Sequence, residues 1–122
     1  MDHSPGFLRI VDAAKAQIRE IDVEEAKQRL QLNREAVMID VREDLEWQAN
    51  HAEGAVHLGK GILERDIEKM FPDKNRELIM YCGGGFRSAL TAEVAQRMGY
   101  RNVCSLKGGF RALVSAQWPT VQ

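Results

Sequence analysis

Leu78-Ile79-Met80-Tyr81-Cys82-Gly83-Gly84-Gly85-Phe86-Arg87-Ser88 is the stretch on which the fold turns. Its first five residues are apolar without alternation, which is how a strand reads when helices cover both faces of its sheet. Three glycines then break the run. Behind them Leu90, Val94 and Met98 recur at helical spacing, and Gly99 is placed to stop that helix. A buried strand, a glycine-rich turn and a helix in immediate succession form the unit from which parallel α/β sheets are built.

The same alternation extends outward from this unit. Ala36 to Val41, Ala55 to Leu58 and Val103 to Leu106 are short apolar runs, and Glu20 with Ile21 adds a brief strand. Between them lie helical patterns: Leu8, Val11, Ala14 and Ile18, then Val23, Ala26 and Leu30 behind the N-cap residue Asp22. Ile62, Ile67 and Met70 predict a helix ahead of Pro72, and Phe110 to Ser115 another near the end. The expected class is therefore α/β with a mainly parallel sheet. In such sheets ligands bind where strands end and loops lead into helices, which directs attention to the end of the Leu78 to Cys82 strand. With no repeat, low-complexity tract or linker, residues 1–122 are expected to form one domain, with the helical segment 1–19 packed on it.

Composition narrows the function classes. A chain of 122 residues and 13.8 kDa fits one ordinary domain. Such a chain exposes about 6,600 Å² when folded against about 20,000 Å² unfolded, enough burial for a core without staples. Hydrophobic residues at 44% and charged residues at 29% exclude a disordered chain. The 17 basic and 18 acidic side chains give a net charge of -1. That balance argues against nucleic-acid binding through a global positive field and against a polybasic membrane surface. Cys82 and Cys104 are too few for a disulfide framework, and His3, His51 and His57 lack metal-ligand spacing, so no metal is expected. Met1 to Gly6 has no basic patch leading into an apolar stretch, and no run approaches eighteen apolar residues. The expected compartment is a reducing cytoplasm, where a free thiol survives.

The turn after the strand carries the candidate chemistry. Consecutive glycines let several amide N–H groups converge on one point. The following helix adds the positive end of its dipole, Arg87 a fixed cation, and Ser88 a helix cap. A thiol at the mouth of such a bowl is expected to ionise readily. The bland alternatives are a flexible turn and a small buried cysteine; the coincidence of all these elements between a strand and a helix favours a functional loop. A dinucleotide fingerprint fails, because Gly83-x-Gly85-x-x-Ser88 lacks the third glycine and no acidic residue follows about twenty positions on.

A Cys-x-x-Gly-x-Arg loop in this place resembles that of rhodanese (thiosulfate sulfurtransferase) domains. Ile39-Asp40-Val41-Arg42-Glu43 followed by Glu46-Trp47 is similar to that family's Asp-Val-Arg-Glu and Glu-aromatic segment. His51-Ala52-Glu53-Gly54-Ala55-Val56-His57-Leu58 resembles its His-x-x-Gly-Ala motif, and Gly61-Ile62-Leu63-Glu64 its Gly-x-Leu-Glu stretch. Leu106-Lys107-Gly108-Gly109-Phe110 is similar to the late Gly-Gly-Phe motif. The matches run in order from about Ile21 to Pro119. The resemblance implies a three-layer α/β/α fold around a five-stranded parallel sheet of order 3-2-4-5-1.

The resemblance also implies a sulfurtransferase. Cys82 would take the outer sulfur of thiosulfate or a persulfide, hold it as a persulfide, and pass it to cyanide or a thiol, including one on an acceptor protein. Gly83, Gly84, Gly85, Phe86, Arg87 and Ser88 would bind the donor, with Arg42 as a further cation or, equally, as part of a structural salt bridge with Glu46. No metal or organic cofactor is implied, and neither nucleic acid nor membrane is an expected partner. Two other readings stand beside it. A persulfide-carrying or regulatory binding module would fit the uncharged Gly83 and Phe86, where some thiosulfate-using members have Arg or Lys. A phosphatase or arsenate-handling enzyme would share the cradle, but such phosphatases use Cys-x5-Arg, whereas four residues separate Cys82 from Arg87. Asp40 is expected to accept hydrogen bonds at a strand end, His51 to fix a turn, and Cys104 to pack. Lys60 is a candidate to supplement Arg87.

Overall fold

The computed structural model describes residues 3–122; Met1 and Asp2, which begin the expected N-terminal segment, lie outside the described residues. In chain order the elements are α1 (Pro5–Lys15), β1 (Arg19–Ile21), α2 (Val23–Leu32), β2 (Val37–Asp40), α3 (Asp44–Ala49), β3 (His51–Ala52) and β4 (Val56–His57). A 3-10 turn (Lys60–Ile62) then leads into α4 (Leu63–Met70), followed by β5 (Leu78–Tyr81), α5 (Phe86–Arg97), β6 (Val103–Leu106), α6 (Gly109–Ser115) and β7 (Thr120–Val121).

Five strands form the central sheet in the order β1-β6-β5-β2-β4, every neighbouring pair parallel. Counted along the chain and read from the other edge, this is the expected 3-2-4-5-1. β3 and β7 form a separate antiparallel pair. β5 lies at the centre, with Asp40 of β2 opposite Tyr81 and Ser105 of β6 opposite Met80.

Strand periodicity divides the core between the two faces. Leu78, Met80 and Cys82 pack with Leu63, Ile67 and Phe71 of the α4 region and Ala92 and Ala95 of α5. Ile79 and Tyr81 face the other way, toward Ala26 of α2 and Leu113 of α6. Burial on both sides is why β5 shows no polar alternation. Asp22 caps α2 as expected, its Oδ1 accepting the Glu25 amide at 2.8 Å.

The helical stripes differ in detail from the sequence pattern. On α5 the buried positions are Ser88, Ala89, Thr91, Ala92 and Ala95, with Leu90 turned toward α1. The helix is covered on two sides, so small residues face the sheet while Ala89 meets Val11 and Ala14 of α1. On α4 the buried residues are Leu63 and Ile67, while Ile62 and Met70 are exposed. Ile18 lies beyond α1 and packs against the sheet-side core. Among the described residues no helix is long and apolar enough to cross a membrane.

Candidate active site

β5 ends at Tyr81, and the next residue is Cys82. Its sulfur is the focus of two amide donors and one hydroxyl group. The Gly85 amide lies 3.1 Å from Sγ, the Ser88 amide 3.3 Å, and the Ser88 hydroxyl 3.5 Å. Ser88 Oγ is in turn 2.8 Å from Ser105 Oγ on β6. Both serines are fully buried, and Cys82 is 1% exposed at the bottom of a cleft. The expected capping role of Ser88 is not found: Gly85 is the N-cap residue, and Ser88, inside the first turn of α5, turns its hydroxyl inward to Cys82 Sγ and Ser105 Oγ.

The amides face inward because the loop's carbonyls are held outward. Phe110 N donates to Cys82 O at 2.6 Å and Arg111 N to Gly83 O at 3.2 Å, so the first turn of α6 satisfies two loop carbonyls. This close docking depends on glycine at two positions. Gly85 has φ +97°, and a Cβ there would sit 3.2 Å from Gly108 N. Gly109 has φ +55°, and a Cβ there would collide with Cys82 O. Gly83 and Gly84 keep ordinary backbone angles, so their role is spatial: a Cβ would crowd the guanidinium of Arg87 or Arg111.

Arg87 is not a free cation. Its Nη1 and Nη2 donate to the two carboxylate oxygens of Glu46 at 2.7 and 3.1 Å. Glu46 Oε1 also accepts the Glu43 amide at 3.0 Å, anchoring the carboxylate to the first turn of α3. The Arg87 hydrogen bonds lower the Glu46 pKa, and the carboxylate holds the arginine further up. The pair presents a nearly neutral wall to the cleft.

That cleft measures about 490 Å³, with Cys82, Gly83 and Gly84 along its floor. Phe86 and the Arg87–Glu46 pair form walls, with His3 and Arg111 at the rim. The His3 ring lies 4.5 Å from that of Phe86, and Lys15 Nζ is 4.9 Å from the Phe86 centroid, so the segment ahead of the sheet supports this wall.

Of the residues expected to bind a donor, Gly83, Gly84, Phe86 and Arg87 line the cleft, while Gly85 and Ser88 lie beneath it. Arg42 does not line it. Its buried guanidinium makes bonds of 2.9 to 3.1 Å to Asp40, donates to Asn50 O at 2.7 Å and sits 4.2 Å above the Phe110 ring. The anticipated ion pair with Glu46 is replaced by one with Asp40, since Glu46 is taken by Arg87. Asp40 also accepts the Arg42 amide, as expected of a strand-end carboxylate. Lys60 lines an adjacent cleft on the far side of Arg87. His51 Nδ1 bonds Trp47 O at 2.9 Å, with its ring stacked on the indole. Cys104 is packed in the core, where burial pushes its thiol up to about 11.

Sequence reasoning missed Arg111, His3 and the role of Glu46. Glu46 carries a local signal, three residues past Glu43 in a capping-box spacing. Arg111 carries none, because its approach to Gly84 is created by the docking of α6.

The model of the rhodanese-like domain matches residues 22–116, and the chain belongs to this family. Thiosulfate sulfurtransferase GlpE of Coxiella burnetii is 34% identical over 77 residues, covering 63% of this chain and 70% of that protein. YrkF of Bacillus subtilis is 30% identical over 94 residues, 77% of this chain, but the match spans only 50% of that protein. Among solved structures, RPA3614 of Rhodopseudomonas palustris, a protein of unknown function described as a possible tyrosine phosphatase, superposes with a TM-score of 0.85 at 27% identity. That superposition covers 98% of this chain and 96% of the other. The polysulfide-sulfur transferase homodimer of Wolinella succinogenes shares the fold, with a TM-score of 0.78 at 22% identity over 95% of this chain and 87% of that one.

Proposed function

We propose that this chain is a sulfurtransferase that carries sulfane sulfur as a persulfide on Cys82. The observation that supports it most is the convergence of the Gly85 and Ser88 amides and the Ser88 hydroxyl on one sulfur at the floor of a cleft. Such donors stabilise a sulfur anion, which is the nucleophilic form of cysteine. The thiolate attacks the outer sulfur of a donor, a new S–S bond forms, and the donor's remaining portion leaves with the electron pair. The negative charge then rests on the outer persulfide sulfur. Phe86 and Arg87 open α5, and their amides have no intrahelical acceptor, so they are suited to receive it. A thiol or cyanide acceptor attacks that sulfur and regenerates the Cys82 thiolate. The scheme calls on no metal or organic cofactor.

We place the reaction in the cytoplasm, with a thiosulfate-type or persulfide donor and a thiol acceptor that includes protein thiols. The whole chain acts as one unit, with α1 buttressing the Phe86 wall. The test is intact-mass analysis after incubation with sulfane donors. One sulfur mass removable by cyanide is expected, absent in Cys82→Ser; no loading from thiosulfate, thiosulfonate or polysulfide would overturn the proposal. A carrier with little turnover would show a stable persulfide without thiocyanate release. The description of RPA3614 keeps phosphatase activity as a second reading. Against it stand the four-residue spacing and the pairing of Arg87 with Glu46, which offsets the arginine's charge toward a phosphoryl group. Cys82-dependent aryl phosphate hydrolysis without persulfide would favour it.

A further inference from the structure

On the sulfur-transfer reading, a thiol that collects sulfur from Cys82 must first lose its proton, because the thiolate is the nucleophile. The lining of the cleft narrows what can receive that proton. Arg87 and Arg111 carry guanidinium groups, which donate hydrogen bonds and accept none. Glu46 is held through both carboxylate oxygens by Arg87, whose hydrogen bonds lower its pKa. Cys82 itself bears the sulfur at this stage. Among the described residues lining the cleft, His3 is the remaining side chain of a type that exchanges protons near neutral pH. His51 and His57 lie elsewhere, bonded to the Trp47 and Arg42 carbonyls.

Local structure brings the imidazole to this place. Ser4 caps α1, its Oγ accepting the Phe7 amide at 3.4 Å, and Pro5 opens the first turn, so the chain direction is fixed one residue after His3. Val11 and Ala14 then seat α1 on Ala89 of α5. The His3 ring rests against two phenyl rings, with centroids 5.2 Å from Phe7 and 4.5 Å from Phe86. The charged groups around it are the Arg87–Glu46 pair from α5 and α3, Arg111 from α6, and Lys15 of α1. Lys15 lies over the Phe86 ring and pairs with Glu20 at 3.7 Å. His3 and α1 precede residues 22–116, so the imidazole enters the cleft from outside the family domain.

We infer that His3 is the proton acceptor for the thiol that takes sulfur from Cys82. The thiol R–SH gives its proton to the imidazole, and the R–S⁻ so formed attacks the outer sulfur of Cys82–S–S⁻. The new bond joins the acceptor sulfur to that outer sulfur. The S–S bond at Cys82 breaks, and its electron pair stays on Sγ. The products are R–S–S⁻, the Cys82 thiolate and an imidazolium, which returns its proton to solvent. No oxidant or reductant is consumed.

The experiment loads Cys82 of the intact protein with one sulfur, removes the donor, and follows loss of that sulfur by mass between pH 6 and pH 9. Two acceptors are compared: mercaptoethanol, which must lose a proton, and thionitrobenzoate, which is already a thiolate. His3→Gln should slow transfer to mercaptoethanol at pH 7 by about tenfold or more, and transfer to thionitrobenzoate far less. In that variant the mercaptoethanol rate should climb by about tenfold per pH unit with the free thiolate, while the parent profile is flatter. His3→Phe keeps a ring against Phe7 and Phe86 and should lose as much as His3→Gln. Equal slowing toward both acceptors would overturn the inference, and so would a His3→Phe variant at the parent rate, since either marks a packing role. Loading followed by discharge with the same rates and slopes in all three proteins would remove this inference alone. Loading from no donor would remove the sulfur-transfer reading with it.

Discussion

A methyl group added at Gly85 would lie in the left-handed region at φ +97° and 3.2 Å from Gly108 N, whereas one at Gly84 would crowd the flexible end of Arg111 and touch the Phe86 ring at an ordinary 3.7 Å. The two neighbours therefore tolerate substitution differently. Gly85→Ala is expected to lower stability by about 1–3 kcal/mol, read from urea unfolding. Gly84→Ala should stay within about 0.5 kcal/mol of the parent in the same measurement, because the Arg111 guanidinium can swing aside. The thiols form a second contrast. Burial pushes Cys104 up to about 11, which leaves about one thiolate in a thousand at pH 8. Peptide mapping after brief iodoacetamide treatment of the folded protein at pH 8 should find Cys82 modified and Cys104 intact.

Two elements that are distant in sequence hold the loop after β5. β6 supplies Ser105 beneath Ser88, and the first turn of α6 ties the carbonyls of Cys82 and Gly83. Ser105→Ala is expected to cost about 1 kcal/mol by leaving the Ser88 hydroxyl short of a partner. Gly109→Ala should do more, since its Cβ would strike the Cys82 carbonyl. Faster hydrogen exchange at the Phe110 and Arg111 amides would register α6 lifting from the loop. These ties also explain what was legible in the sequence. The strand, glycine turn and helix around Cys82 are contiguous, so the loop is legible locally, and unalternating apolar runs mark four of the five sheet strands, while β1 shows only as Glu20 with Ile21. The partners of Arg42 and the approach of Arg111 depend on packing between elements, and no local spacing reports them. α3 buries none of its residues and so carries no apolar stripe, and two-residue strands such as β3 and β7 leave no periodicity to detect.

At the level of the whole molecule, the Arg87–Glu46 pair joins α3 to α5 across the cleft. Its Glu46 pKa is lowered on folding by the Arg87 hydrogen bonds. The associated stability is therefore present above the unfolded value near 4.5 and is lost as pH falls through the lower folded value. Partial exposure of both partners keeps the contribution modest. Urea midpoints at pH 7 and pH 3 should differ less in Glu46→Gln than in the parent protein. The grip of α6 on the Cys82 and Gly83 carbonyls has a further consequence for how the protein is made. A ribosome delivers the thiol well before it delivers Phe110 and Arg111. Until those late residues leave the exit tunnel, the nascent chain has nothing to set its peptide hydrogens around the sulfur. A chain ending before Phe110 is therefore expected to take up no sulfur on Cys82 when offered a sulfane donor.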